Sequence, residues 1–100
     1  MSRWNLLILE IPPALEDVLV DELLASGLSL DFDIQRVETR AGRETQLSAL
    51  EQVSGRCRRI RMEILGECAA IDQFQSVLVR GYGQTGIRFR RLEVSDCGSI

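Results

Sequence analysis

The stretch WNLLILEIPPALEDVLVDELLASG, residues 4–27, decides the fold of this chain. Its first part, residues 4–11, is short and almost entirely apolar, and the two prolines that follow favour a buried strand over a helix. The same prolines suit the first turn of a helix, where amide donors are unpaired in any case. From residue 14 to residue 26 the apolar side chains recur at helical spacing, and Gly27 provides a position that ends helices. The sequence therefore predicts a fully buried central strand followed directly by an amphipathic helix.

Residues 31–40 come next and alternate apolar with polar side chains, which is typical of a half-exposed strand. We expect the alternation to slip near Arg36. Residues 41–46 are polar and predict a loop, and Ser48 and Glu51 have the spacing of a capping box. That spacing indicates a short helical turn before the next strand.

The second half of the chain repeats this pattern. Residues 58–65 alternate so that one face of a strand is apolar and the other carries Arg59, Arg61 and Glu63. An apolar stripe predicts a helix over residues 69–80. A glycine-rich loop over 81–86 and a final strand over 87–94 follow, with a slip in phase at Arg90 and Arg91.

The predicted elements follow in the order β-α-β-β-α-β, and 100 residues is the length of one domain, which we place over residues 1–100. The compact arrangement of that order is an α+β sandwich of the ferredoxin-like kind, a four-stranded antiparallel sheet with two helices on one face. A chain this short buries a modest core, so self-association would add useful buried area.

Composition and charge argue against several classes of function. The net charge is −3, whereas a protein that binds duplex nucleic acid needs a net basic face. The chain has no histidine, which removes the commonest general base and every Ser-His-Asp or Cys-His arrangement. We therefore expect neither an enzyme nor a nucleic-acid-binding protein. The first apolar run is too short to cross a membrane, so we expect a cytoplasmic protein without direct membrane insertion.

Basic side chains gather near a glycine-rich loop in the second half. The loop Gly81-x-Gly83-x-x-Gly86 has the letters of the dinucleotide fingerprint, but a predicted helix precedes it and a strand follows, which is the wrong order. Backbone amides of such a loop and nearby guanidinium groups can still wrap an anion; a flexible turn beside solvent-facing arginines is the alternative. We predict the following ligand-binding residues: Arg59, Arg61, Gly83, Gly86, Arg88 and Arg90.

The three cysteines do not form a disulfide or zinc pattern. Cys57, Cys68 and Cys97 include no Cys-x-x-Cys pair, and a closed zinc site takes four Cys or His ligands. We interpret the first two as small apolar residues. Cys97 is the candidate metal ligand, through a thiolate contact with copper(I) or zinc that is transient or shared between subunits.

The segment Leu47-Ser48-x-x-Glu51-Gln52-Val53-x-Gly55-Arg56-x-Arg58-Arg59, with Gly86-Ile87-Arg88 and the tail Val94–Gly98, resembles a family of PII-like proteins of unknown function. Genes of that family often lie beside heavy-metal efflux operons. The resemblance covers nearly the whole chain, and it implies a ferredoxin-like fold assembled into a homotrimer, as in PII signalling and CutA proteins. In those proteins ligands sit in clefts between subunits.

The resemblance also implies sites. Residues 41–50 correspond to the loop that contacts a partner, with Arg43, Glu44 and Gln46 as the partner-binding residues. The loop 81–86 with Arg88 corresponds to the segment that contacts phosphates in nucleotide-binding PII proteins.

The expected function is therefore an oligomeric regulatory or signalling protein linked to heavy-metal efflux. It would sense a small ligand or a metal and contact an efflux component or its regulator through residues 41–50. The alternative is a small metal-binding chaperone or buffer that uses Cys97 with nearby acids. The residues leave the identity of the ligand and of any cofactor open.

Overall fold

The structure, a computed structural model, describes residues 3–40 and 57–100. Within these residues the chain forms four strands and two α-helices, with a short 3₁₀ turn at Pro13–Leu15. The strands are β1 (Trp4–Ile11), β2 (Asp31–Thr39), β3 (Cys57–Glu67) and β4 (Arg88–Val94), and the helices are α1 (Glu16–Ala25) and α2 (Cys68–Gly81). Both helix predictions are confirmed to within two residues of each end, while the predicted turn over 47–53 lies outside the described residues.

The strands form one antiparallel sheet in the order β2–β3–β1–β4. The central strand β1 pairs with β3 from Trp4 opposite Glu67 to Ile11 opposite Ile60. On its other side β1 pairs with β4, with Glu10 opposite Arg88. This order confirms the predicted ferredoxin-like arrangement and leaves β2 and β4 as the outer strands of the sheet.

Both helices pack on the same face of the sheet, and the core lies between. Alternate residues of β1 and β3 point toward the helices, which contribute their own apolar stripes. The buried core consists of Leu7, Leu9, Ile11, Leu19, Leu23, Ile60, Met62, Ile64, Ile71, Phe74 and Leu78. The alternation predicted for residues 58–65 is therefore confirmed on its apolar face.

The other side of the sheet, which we call the open face, carries the remaining alternate residues. Leu6 and Ile8 of β1 point to this side and are only half-buried. The prediction that β1 is fully buried is therefore right for its helix-facing residues and wrong for Trp4, Leu6 and Ile8 on the open face. Apolar composition alone does not show how many layers cover a strand.

The two predicted slips in alternation are wrong. β2 stays in register with β3 from Asp31 opposite Leu65 to Thr39 opposite Cys57, and β4 pairs with β1 without interruption. The apparent slips arise because Arg36 and Arg91 take helix-facing positions. Each meets a carboxylate there: Arg36 lies 3.5 Å from Glu16 and Arg91 lies 2.7 Å from Asp72.

Candidate functional site

The candidate site lies on the open face and is centred on Glu10. The register places Glu10 between Arg61 of β3 and Arg88 of β4. Its Oε2 atom accepts a hydrogen bond from Nη2 of Arg61 at 2.7 Å and from Nη2 of Arg90 at 3.5 Å. The Glu10 side chain is only 8% exposed, so this is a carboxylate held within the sheet by guanidinium groups.

Two opposing effects act on the pKa of Glu10. Burial raises the pKa, because a charged carboxylate is poorly solvated there. The hydrogen bond from Arg61 and the positive charges of Arg61, Arg90 and Arg88 lower it, and together they prevail. The pKa of Glu10 therefore lies below its ordinary value of 4.5, and the carboxylate is ionised at neutral pH.

Four arginines lie on the open face in this region, and we call them the arginine cluster: Arg59, Arg61, Arg88 and Arg90. Two of them carry unused donors. Arg59 is only 8% exposed, and its Nε atom and that of Arg61 are buried with no hydrogen-bond partner among the described residues. Buried polar groups are normally paired, so these two donors indicate a place for an acceptor. Glu10 provides one carboxylate for the four guanidinium groups, so the cluster keeps an excess of positive charge around it.

The structure separates the predicted ligand-binding residues into two groups. The four arginines share the open face, and Arg88 and Arg90 line a small cavity of about 50 Å³ together with Glu10. Gly83 and Gly86 instead line a larger cavity on the helix side of β4. Phe89 borders both cavities, because it follows Arg88 along the strand and points to the opposite face.

The loop that carries these glycines is held by side-chain contacts. Gly86 has φ of 88° and Gln84 has φ of 65°, both in the left-handed region. The Thr85 hydroxyl donates to the Tyr82 carbonyl at 2.6 Å, and the Tyr82 hydroxyl donates to Glu22 Oε1 at 3.0 Å. Burial, and then the hydrogen bond and negative charge of Glu22, raise the pKa of Tyr82 above 10.0. These contacts hold the loop, which connects α2 to β4, against α1.

Glu10 and Arg91 organise the sheet, and the sequence pattern singles out neither of them as a site residue. Glu10 is a charged residue in the apolar run 4–11, and that position in a predicted central strand is the signal that points to it. Arg91 lies beneath α2, where its Nε donates to Asn5 Oδ1 at 2.9 Å and its Nη1 donates to Gln75 Oε1 at 3.0 Å. The partners of Arg91 therefore tie α2 to the strands below it.

Cys57 lies two residues before Arg59 on the same face of β3, whereas Cys68 begins α2 and Cys97 follows β4. Cys97 is exposed in the segment after β4, Cys57 is buried, and Cys68 is half-buried. Within residues 3–40 and 57–100 no group of three His, Cys, Asp or Glu side chains is placed to hold a metal ion. The role of Cys97 as a metal ligand stays a prediction. Arg43, Glu44 and Gln46 lie outside the described residues, so their role also stays a prediction.

Comparisons with known proteins agree with this architecture. The family model described as "Protein of unknown function (DUF3240)" matches residues 1–100. A comparison with curated proteins finds no match. A crystal structure of a DUF3240 family protein from Shewanella baltica has a TM-score of 0.76 at 18% identity, covering 100% of this chain and 99% of that chain.

Two further solved structures belong to proteins of the PII kind. A candidate PII-like signalling protein from Thermus thermophilus has a TM-score of 0.66 at 18% identity, covering 93% of this chain and 88% of its own. The complex of B. subtilis GlnK with ATP has a TM-score of 0.62 at 16% identity, covering 95% of this chain and 85% of its own. Identities this low show the fold, which is PII-like. No helix within the described residues is long and apolar enough to span a membrane.

Proposed function

Because the chain belongs to the DUF3240 family of proteins of unknown function and has a PII-like fold, we propose that it is an oligomeric regulatory protein that binds a small anion at the arginine cluster. It acts as a sensor and not as an enzyme. The observation that carries this proposal is the pair of buried Nε donors on Arg59 and Arg61 that have no acceptor among the described residues.

The chemistry of the cluster favours a phosphate-bearing ligand. A buried N–H donor without an acceptor is costly, and an anion that supplies an oxygen atom removes that cost. Guanidinium groups donate two parallel hydrogen bonds to phosphate or carboxylate oxygens, which adds geometric selectivity. The fold neighbour GlnK forms a complex with ATP, which makes nucleotides the first compounds to test.

We further propose that the protein assembles as a homotrimer and that the cluster lies near the contact between subunits. The two outer strands have opposite charge. β2 carries three acids and one arginine, a net −2, whereas β4 carries three arginines and one acid, a net +2. Because the two edges of one subunit carry opposite charge, one edge of a subunit can contact the opposite edge of the next, head to tail. Such contacts close into a ring when the rotation between neighbouring subunits allows it. A trimer is the ring that the PII-like resemblance implies.

The open face adds apolar area to such an assembly. Leu92 of β4 is 51% exposed on this side, and Leu6 and Ile8 of β1 are half-buried beside it. Contiguous exposed apolar patches mark interaction surfaces, so these three neighbouring residues support a subunit contact here. The proposed partner contact through residues 41–50 and the link to cytoplasmic control of heavy-metal efflux rest on the family resemblance alone.

A thermal-unfolding experiment tests the ligand proposal. Wild-type protein would be heated in chloride buffer alone, with inorganic phosphate, and with ATP. We expect ATP to raise the melting temperature most. A ligand at about 100 times its Kd stabilises the native state by about 2.7 kcal/mol. The variant Arg90→Gln should lose most of this shift.

The matched control is Arg3→Gln. Arg3 is, like Arg90, an exposed arginine that pairs with one carboxylate, but its partner is Glu67 and it lies outside the arginine cluster. This variant should keep the full shift. If both variants respond to ATP as the wild type does, anion binding at the arginine cluster is wrong.

A further inference from the structure

An apolar groove runs along β4 on the helix side, on the opposite face of the sheet from the arginine cluster. One of its cavities has a volume of about 340 Å³, which is within the range that holds a small organic molecule. Most of its lining is apolar, with Leu7, Leu9, Leu78, Val79, Ile87 and Phe89. Leu7 and Leu9 form a fully buried floor, whereas Val79 and Phe89 are 69% and 56% exposed. The groove is therefore open to solvent along its rim.

A second cavity of about 480 Å³ continues the groove along α2. Gln75 and Val79 line both cavities, so the two are contiguous. The charged side chains of the second cavity are Asp72, Arg80 and Arg91. Asp72 and Arg91 form an ion pair at 2.7 Å and neutralise each other.

Arg80 forms no ion pair with a carboxylate of the described residues. It is exposed on the last turn of α2. The two neighbouring cavities thus combine an apolar channel with the positive charge of Arg80. That combination complements a molecule with an apolar body and a single negative head group.

We propose that this groove binds an amphipathic carboxylate of medium chain length. Its apolar part lies over Leu9 between Val79 and Phe89, and its carboxylate reaches the guanidinium group of Arg80. Covering Val79 and Phe89 removes apolar surface from water, which provides the main driving force. The charge of Arg80 provides selectivity for an acid over a neutral molecule of the same length. This site is separate from the proposed anion site and does not depend on it.

The test is a titration followed by ¹⁵N–¹H correlation spectra of the whole chain, with octanoate and with octan-1-ol as probes. Both probes should shift the backbone amides of Gln75, Val79, Gly83 and Gly86. Octanoate should bind about two- to fivefold more tightly than octan-1-ol, which is the range expected for one exposed ion pair. Arg80→Gln should remove that difference and leave octan-1-ol binding unchanged.

A second variant tests the apolar part of the site. Val79→Glu places a charge on the exposed rim and should abolish binding of both probes. Val18→Glu is the matched control, because Val18 is also exposed, at 41%, on the other helix. It should bind both probes normally.

Two results would overturn the proposal. If neither probe produces saturable shifts at these four amides, the groove is not a ligand site. If octanoate and octan-1-ol bind equally tightly to the wild type, or if Arg80→Gln leaves the preference intact, the assignment of a carboxylate to Arg80 is wrong.

Discussion

Glu10 is the residue on which the open face depends, because it is the acid that lies within the arginine cluster. Arg61 and Arg90 both donate to its Oε2 atom, and the carboxylate is almost completely buried. A buried ion pair adds little to stability by itself, but the loss of one partner leaves the other charge uncompensated. Replacement of Glu10 should therefore lower the free energy of unfolding substantially.

We predict that Glu10→Gln lowers the free energy of unfolding by about 2–4 kcal/mol, measured by urea unfolding at neutral pH. The amide keeps the size of the side chain but removes the charge that pairs with Arg61 and Arg90. Asp17→Asn is a suitable control, since Asp17 is an exposed acid in the first turn of α1. A Glu10→Gln variant as stable as the wild type would show that the arginines do not rely on this carboxylate.

The same residue predicts how stability depends on pH. The pKa of Glu10 is lowered in the folded protein relative to 4.5, so the ionised form is stabilised by folding. The contribution of Glu10 to the free energy of unfolding is complete above pH 4.5. It is lost as the pH falls through the lower pKa that Glu10 has in the folded protein. We therefore expect the stability difference between wild type and Glu10→Gln to shrink between neutral pH and about pH 3. A difference that stays constant or grows on acidification would contradict this assignment.

The sequence could not reveal the environment of Glu10, since its partners Arg61 and Arg90 are 51 and 80 residues away along the chain. Sequence reasoning did place Arg59, Arg61, Arg88 and Arg90 among the ligand-binding residues. It also grouped Gly83 and Gly86 with them. Alternation along β4 turns Phe89 to the helix side, away from Arg88 and Arg90. The glycines lie in the loop before β4, where this alternation does not apply, and line the helix-side cavity.

At the scale of elements, the turn from α1 into the sheet depends on Gly66 of β3. A Cβ atom at this position would overlap the Cδ2 atom of Leu30, which packs against the core. The backbone there has no room for a side chain, and the alternation of residues 58–65 gives no sign of this. Such contacts between distant segments are visible only in the folded chain.

We predict that Gly66→Ala destabilises the protein by about 1–3 kcal/mol in urea unfolding, since Leu30 must shift to admit the methyl group. Gly98→Ala serves as the control, because a Cβ atom there would meet nothing within 4 Å. Equal stability of the two variants would show that Leu30 repacks without cost.

The arginines on the helix face explain why the strand boundaries were easier to predict than the strand phases. Apolar runs and the prolines gave the limits of β1, and alternation gave the faces of β3. Arg36 and Arg91 broke the alternation in β2 and β4, because each lies on the helix-facing side, where a pattern of hydrophobicity expects an apolar residue. In the structure each is paired with an acid of the adjacent helix.

At the scale of the whole molecule, the charges of the outer strands predict how copies associate. Asp31 and Asp33 of β2 and Arg88 and Arg90 of β4 all point to the open face. We expect sedimentation velocity to show a trimer of the 11.3 kDa chain, and Asp31→Arg/Asp33→Arg to weaken it by bringing like charges together. Reversing the charges of β4 in the same protein, with Arg88→Asp/Arg90→Asp, should restore assembly.

A wild type that sediments as a monomer would contradict the proposed assembly, and so would a β2 variant that assembles normally. Failure of the reversed pair to restore association, in a protein that urea unfolding shows to be folded, would show that the two edges do not meet. These outcomes concern assembly alone and do not decide whether the arginine cluster binds an anion.

The measurement that tests the central claim most directly is an isothermal titration of ATP into the wild type and into Arg88→Gln/Arg90→Gln. Both arginines are exposed at the edge of the cluster, so their removal leaves the Arg61–Glu10 pair in place. We predict saturable binding to the wild type and a loss of affinity of at least about tenfold in the variant, as two charge-assisted contacts disappear. ATP binding of equal affinity in the two proteins, or none to the wild type under conditions where it is folded, would contradict the proposal that this open-face cluster binds a phosphate-bearing anion.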